Sequence, residues 1–311
     1  MGWPCRRELW GKTLAQARAD YATVASAIAE FEPVTMIANH GEEAEQARQA
    51  CSAAVEVVEL PIDDSWLRDS GPIYVWDGDG AQRRVAVHFR FNAWGGKFSP
   101  WDRDAAIGRL IAERLGDEVR EVSLVLEGGS VLSDGAGTIL TTEQCLLHPS
   151  RNPERSREQI EQALFDSLGA ERVVWLGQGL LEDRDTDGHV DLIAVIVAPG
   201  RVLLQTVPPA NPNHDHCEEN RQRLEAAGIE VTEVPHLPYV EVAGERVAAS
   251  YLNLYICNRA VVVPVTGGPS DGDALSIIGH AFPDRELVAV PGAVIAYGGG
   301  GPHCITQQVP A

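Results

Sequence analysis

Basic side chains are scarce in this chain: 25 Lys and Arg stand against 45 Asp and Glu, a formal net charge of −20 at pH 7. That balance excludes a binder of the phosphate backbone, which needs a basic face, and suits a cationic small molecule. Long apolar runs are missing too. The longest, Leu192 to Ala198, falls far short of the roughly 18 residues of a membrane-spanning helix. Met1-Gly-Trp-Pro-Cys-Arg-Arg leads into a polar segment with no apolar signal core. The six cysteines are scattered and form no CxxC pair. Reduced thiols in a cytoplasmic protein are therefore expected.

What is present is enough for a full-sized core: 311 residues, 44% of them apolar. Leu14, Ala17, Tyr21, Val24, Ile28 and Phe31 recur at intervals of three and four, which predicts a long amphipathic helix. Shorter helices are predicted over 102–115, 154–168, 218–227 and 270–282. Strand pairs lie between them: 73–76 with 84–91 around Asp77-Gly-Asp-Gly, and 130–133 with 138–141 around Asp134-Gly-Ala-Gly. Two more are 190–197 with 202–207, and 252–257 with 260–265. A unit of strand, tight turn, strand and helix thus repeats in architecture without repeating in sequence. Short hairpins exclude a purely parallel doubly wound sheet. The expected fold is α/β, a single domain over 1–311 with its units set like blades around a central pit.

Five segments place unusual polar residues beside glycine at predicted strand ends. They are Asp63-Asp-Ser-Trp-Leu-Arg-Asp-Ser-Gly-Pro72, Phe91-Asn-Ala-Trp-Gly-Gly-Lys97, Leu126-Glu-Gly-Gly-Ser130, Thr186-Asp-Gly-His-Val-Asp191 and Gly298-Gly-Gly-Gly-Pro-His-Cys-Ile-Thr306. Singly, each has a plain structural explanation: Asp69 and Glu127 as turn carboxylates, His189 as a bonded histidine, Cys304 as a buried thiol. Together they supply a thiol, an imidazole and three acids, each next to backbone that can approach a ligand closely. A papain-like protease has no use for three acids. A guanidinium does, because its fork of donors pairs bidentately with carboxylates. Its central carbon is a poor electrophile, so attack needs a strong nucleophile held in place, and a thiolate serves. Nearby acids push a thiol above its usual ~8.5, while a bound cation and a protonated histidine push the other way. The thiolate is therefore expected to form when substrate is present.

These segments, with Ala249-Ser-Tyr-Leu-Asn-Leu-Tyr-Ile and His303-Cys-Ile-Thr-Gln-Gln, resemble the agmatine deiminase family. That family is close kin to the Porphyromonas-type peptidyl-arginine deiminases of the guanidine-modifying (pentein) superfamily. The resemblance runs along nearly the whole chain and implies a five-bladed α/β propeller. It further implies hydrolysis of agmatine to N-carbamoylputrescine and ammonia, in putrescine biosynthesis, with neither metal nor organic cofactor. By motif position, Cys304 is the expected nucleophile, forming a covalent amidino intermediate, and His189 the acid and then the base. Glu127 is expected to orient His189, and Asp69 and Asp191 to hold the guanidinium. Trp66 and Trp94 are expected as walls for the aliphatic stem, Asp64 as a group near the distal amine, and a homodimer as the assembly. Relatives carry another strand's worth of chain ahead of the position of Met1, so the resemblance implies either that the true start lies upstream or that part of the first strand is lacking, which would leave a neighbour's edge unpaired.

Other motifs carry less. His214-Asp-His-Cys217 has metal-like residues but reads as a solvated helix start. Gly298–Gly301 and Gly95-Gly-Lys97 each lack part of a phosphate-binding loop. Two other functions stay open: a deiminase acting on free or peptidyl arginine, whose pocket would need a cation for the carboxylate, and an inactive guanidine- or polyamine-binding protein.

Overall fold

Gly-rich turns cut the chain into brief strands, and each strand pairs with a neighbour close in sequence. The computed structural model describes residues 1–77 and 83–311. Four sheets of three strands repeat one plan: Ile73–Asp77, Arg83–Arg90 and Glu118–Val125; Val131–Ser133, Thr138–Thr142 and Arg172–Leu176; Ala194–Ala198, Arg201–Gln205 and Glu230–Val234; Tyr255–Cys257, Ala260–Val265 and Glu286–Pro291. The first two strands of each are antiparallel, and the third lies parallel to the second. A parallel return needs a long crossover. Helices Asp102–Leu115, Arg157–Leu168, His214–Ala226 and Asp271–Ala281 supply it. The middle strands are paired on both edges and covered on both faces, which is why Ala260–Val265 reads as an unbroken apolar run instead of an alternating one.

A fifth sheet pairs Val34–Ala38 with Val55–Glu59, parallel, across helix Glu42–Ala50. Residues 1–3 lie along its other edge: Trp3 N–H donates to Ile37 O at 2.7 Å, and Ile37 N–H to Met1 O at 2.8 Å. The edge is thus paired at Ile37. A hairpin of Tyr239–Val242 and Glu245–Ala248 stands apart.

The predicted helices form, with shifted ends. The first is Leu14–Ala29, and the one predicted from 154 starts at Arg157, where Ser156 and Gln159 make a capping box. The helix predicted from 218 begins at His214, so His214–Cys217 is its first turn. Two strand predictions need correction. Val190–Leu192 is a 3-10 turn and not the start of a strand, and pairing before Cys257 begins only at Tyr255. In both places the apolar side chains are buried by tertiary packing, which alternation alone does not distinguish from a strand. The predicted turn after Asp77 lies outside the described residues.

One topological fact positions the chemistry. The residues of interest sit on the links from the last strand of one sheet to the first strand of the next: Asp69 between Glu59 and Ile73, Glu127 between Val125 and Val131, His189 and Asp191 between Leu176 and Ala194. Cys304 follows the last strand. Among the described residues, no helix is long and apolar enough to cross a membrane. Leu164 is fully buried on helix Arg157–Leu168, within the cluster that holds Leu124 and Leu126 next to Glu127. Leu164→Ala is expected to cost about 2–5 kcal/mol, read as a lower urea midpoint with an unchanged slope.

Candidate active site

Gly129 marks the centre of the site. A β-carbon there would lie 2.7 Å from His189 Nδ1, 2.9 Å from Asp191 Oδ2 and 2.9 Å from Asp69 Oδ1. Three of the links therefore converge on one backbone position where only glycine fits. His189 is fully buried, with Nδ1 3.8 Å from Asp69 Oδ1 and 4.0 Å from Asp191 Oδ1, and Nε2 3.9 Å from Glu127 Oε2. Among the described residues neither ring nitrogen has a hydrogen-bond partner, and Asp191 Oδ1 has none. Buried polar atoms are seldom left so.

Each acid has its own donors. Asp69 accepts from Gly129 N–H on Oδ1 and from the Trp94 indole N–H on Oδ2, both at 2.9 Å. Glu127 accepts from Arg151 Nε at 2.6 Å. Asp191 Oδ2 accepts from His303 Nδ1 at 2.7 Å and lies 3.3 Å from Cys304 Sγ. Asn253 ties the thiol down: its Nδ2 donates to Cys304 Sγ at 3.1 Å and to Asp191 O at 3.2 Å, while its Oδ1 accepts from Cys304 N–H at 3.2 Å.

The charges follow from this packing. Burial pushes the Cys304 thiol well above its ordinary value, and the charges of Asp191 and Asp69 push it further. Burial also pulls His189 down, but Asp69, Asp191 and Glu127 outweigh it and the imidazole ends raised. Asp69 is pushed up to about 6 by burial, relieved by His189 and reinforced by the other acids. Asp191 faces the same burial, yet the His303 hydrogen bond and two imidazole charges leave it lowered. The carboxylates therefore favour the protonated imidazole, beside a thiol whose proton is held by burial and the same charges.

Cys304 and Asp69 open onto a cleft lined also by Trp66, Trp94, Phe98 and Asp185. Trp66 stacks on Trp10 with ring centroids 5.9 Å apart. Trp94 and Ala93 both have positive φ, near +54° and +55°. Such backbone is uncommon for non-glycine residues and is held here by Asn92 Oδ1, which accepts from Gly95 N–H at 2.8 Å. The twist is what aims the indole at Asp69.

Asp64 is not brought to the cleft, against expectation. Arg6 Nε donates to its Oδ2 at 2.6 Å, and its Oδ1 accepts from Ser65 N–H at 2.8 Å, so both oxygens are engaged in a buried pair. Sequence reasoning missed Asn253, His303, Arg151 and Asp185. Asn253 had a signal, a lone amide inside the apolar run Tyr251–Ile256, and Asp185 sits in the acidic cluster Asp183–Asp187. Glu127, Cys145 and His189 come within 4.8 Å of one another. As a metal site this set fits poorly: Arg151 already neutralises Glu127, and burial holds the Cys145 thiol protonated.

The sequence profile of the Porphyromonas-type peptidyl-arginine deiminases matches residues 1–310. The chain belongs to that family. The chain is 42% identical to an agmatine deiminase of Stutzerimonas stutzeri, with 100% of this chain and 92% of that protein aligned. One of Pseudomonas putida is 40% identical at the same coverage. The solved agmatine deiminase of Enterococcus faecalis superposes with a TM-score of 0.93 at 33% identity, covering 100% of this chain and 92% of that one. The fold is thus the mixed α/β fold of this deiminase family. Gly129→Ala is expected to lower kcat/KM at least a hundredfold, about 2.7 kcal/mol of transition-state binding, because the added methyl group must displace His189 or an acid. Steady-state kinetics on folded variant protein check this.

Proposed function

We propose that the chain hydrolyses agmatine to N-carbamoylputrescine and ammonia. The observation that carries this reading is the lining of the cleft. Beside the thiol it presents the carboxylates of Asp69 and Asp185, and among the described lining residues there is no Arg or Lys. A free or peptidyl arginine would bring polar groups, and in the free case a carboxylate, that such a wall does not neutralise. A chain with a cation at each end suits it. Among the described residues the Asp185 carboxyl makes no ion pair, and Gly299 leaves room before it: a β-carbon at Gly299 would lie 3.3 Å from Asp185 Oδ2. We assign Asp185 to the distal ammonium, in place of Asp64, with Trp66 and Trp94 flanking the stem.

The guanidinium would fill the vacant valences of the site, its N–H groups donating to Asp191 Oδ1 and to Asp69. Its charge lowers the thiol's proton affinity, and Asp191 Oδ2 offers the thiol proton an acceptor at 3.3 Å. Cys304 sulfur then bonds to the guanidinium carbon. The C–N bond to one terminal nitrogen breaks, and His189 supplies the proton that lets it leave as ammonia. Water attacks the amidino-thioether, His189 takes its proton, and the C–S bond breaks to give the ureido product and free thiolate. Glu127 orients His189 throughout. We read residues 1–311 as one catalytic domain whose five crossover sheets are blades around the shared site. The same reading places the protein in the cytoplasm, where its six unpaired thiols stay reduced.

Purified protein mixed with agmatine should release ammonia and a ureido product, and no product from agmatine rejects the reading. Cys304→Ser is expected to lower kcat by roughly a thousandfold or more. Asp185→Asn should raise KM for agmatine about tenfold, the worth of one charge-assisted contact, and leave kcat nearly unchanged. KM should also climb as pH falls through about 6, because Asp69 then takes up a proton and loses the charge that holds the cation. A KM flat across that range removes Asp69 from the clamp.

A further inference from the structure

One buried arginine beside the site has no part in the reaction as written. The Arg151 side chain is fully buried. Its Nε donates to Glu127 Oε1 at 2.6 Å, Nη1 to Asp187 Oδ2 at 2.8 Å and to Ser150 Oγ at 2.9 Å, and Nη2 to Thr186 O at 3.1 Å. A single planar group thus grips the acid behind His189 and the turn that leads into His189. Asp183 closes that turn from the other side, accepting from Gly188 N–H at 2.9 Å and His189 N–H at 3.0 Å. With Oε1 held by Arg151, Glu127 presents Oε2 toward His189 Nε2. Gly95 passes so close that a β-carbon would lie 2.8 Å from Arg151 Nη1, which packs the loop bearing Trp94 against the same guanidinium.

We propose that Arg151 is a positioning residue for the His189 acid–base step. It fixes Glu127 and the 186–187 turn as one unit. The proposal rests on the deiminase reading given above. Lysine does not substitute, because one ammonium has no planar fork to span both partners. The charges set a second consequence. His189 is faced by Asp69, Asp191 and Glu127, with Asp183 further off, and Glu127 by Arg151, Cys145 and His189. Taking one cation from such a group strengthens proton binding by its remaining members.

The test compares Arg151→Lys and Arg151→Met, each checked for fold by circular dichroism and thermal midpoint. Arg151→Lys keeps the charge and loses the fork. Its kcat should fall about 10- to 100-fold, the usual cost of losing the partner that orients a functional group, with KM and the pH profile in place. Arg151→Met should lose more, with both limbs of the kcat–pH profile moved to higher pH. The His189 imidazole titration, followed by NMR, should move up in Arg151→Met and stay put in Arg151→Lys. Wild-type kcat in folded Arg151→Lys overturns the positioning role, and an unmoved titration in folded Arg151→Met overturns the electrostatic one. Should Arg151→Met not fold, Arg151→Met combined with Glu127→Gln leaves no unpaired charge. The further loss on top of Glu127→Gln should then be smaller than the loss Arg151→Lys causes in the wild-type chain, because only the hold on the 186–187 turn remains to be lost; a further loss as large shows that Arg151 does not act through Glu127. A wild-type chain inactive on agmatine would sink the functional reading, while the titration still decides the electrostatic role of Arg151.

Discussion

Three carboxylates are buried around one imidazole, and the rest of the site exists to make that tolerable. Carboxylates out of water repel each other and lose hydration, so each survives only with dedicated donors. Asp69 has the Trp94 indole and the Gly129 amide, Glu127 has Arg151, and Asp191 has His303. His189 lies 3.8–4.0 Å from all three, and their charges favour its protonated form. The donors are placed so that Asp191 Oδ1 and both imidazole nitrogens stay unpaired. Asp191 Oδ1 lies 4.0 Å from His189 Nδ1, and as an acceptor it suits a planar cation with donors around its rim.

The fold produces this convergence by a simple rule. Strand pairing is local, so each sheet closes on itself and leaves only its link to the next sheet free to vary. A polar residue on a link does not have to satisfy a ladder, and glycine beside it lets the backbone come near. Asp69, Glu127, His189 with Asp191, and Asn253 occupy four successive links, and Cys304 follows the last sheet. The thiol and Asp191 are 113 positions apart in the chain and 3.3 Å apart in space.

That separation divides what was legible from what was not. Helices and hairpins were readable because their periodicity and turn residues are local, and the site segments because acid, thiol and imidazole beside glycine are unusual in composition. Asp64 misled because its partner, Arg6, lies 58 positions away and nothing near Asp64 announces it. Arg151 was unreadable for a related reason: Ser150-Arg-Asn-Pro153 looks like an ordinary polar turn, and only the packing shows its guanidinium to be sealed in. Val190–Leu192 read as strand because burial, not pairing, makes those residues apolar.

In the proposed reaction, selectivity and activation are one interaction. With the site empty, burial and two neighbouring carboxylates hold the Cys304 thiol protonated, and a protonated thiol is a poor nucleophile toward solutes in general. A neutral ligand of the same shape would meet the carboxylates without changing the thiol. A guanidinium both pairs with the carboxylates and supplies the positive charge that makes a thiolate affordable in their midst. The product reverses the sign of the argument: a ureido group is neutral, so it no longer balances Asp69 and Asp191. Its release is favoured by the same repulsion that kept the thiol protonated before substrate arrived.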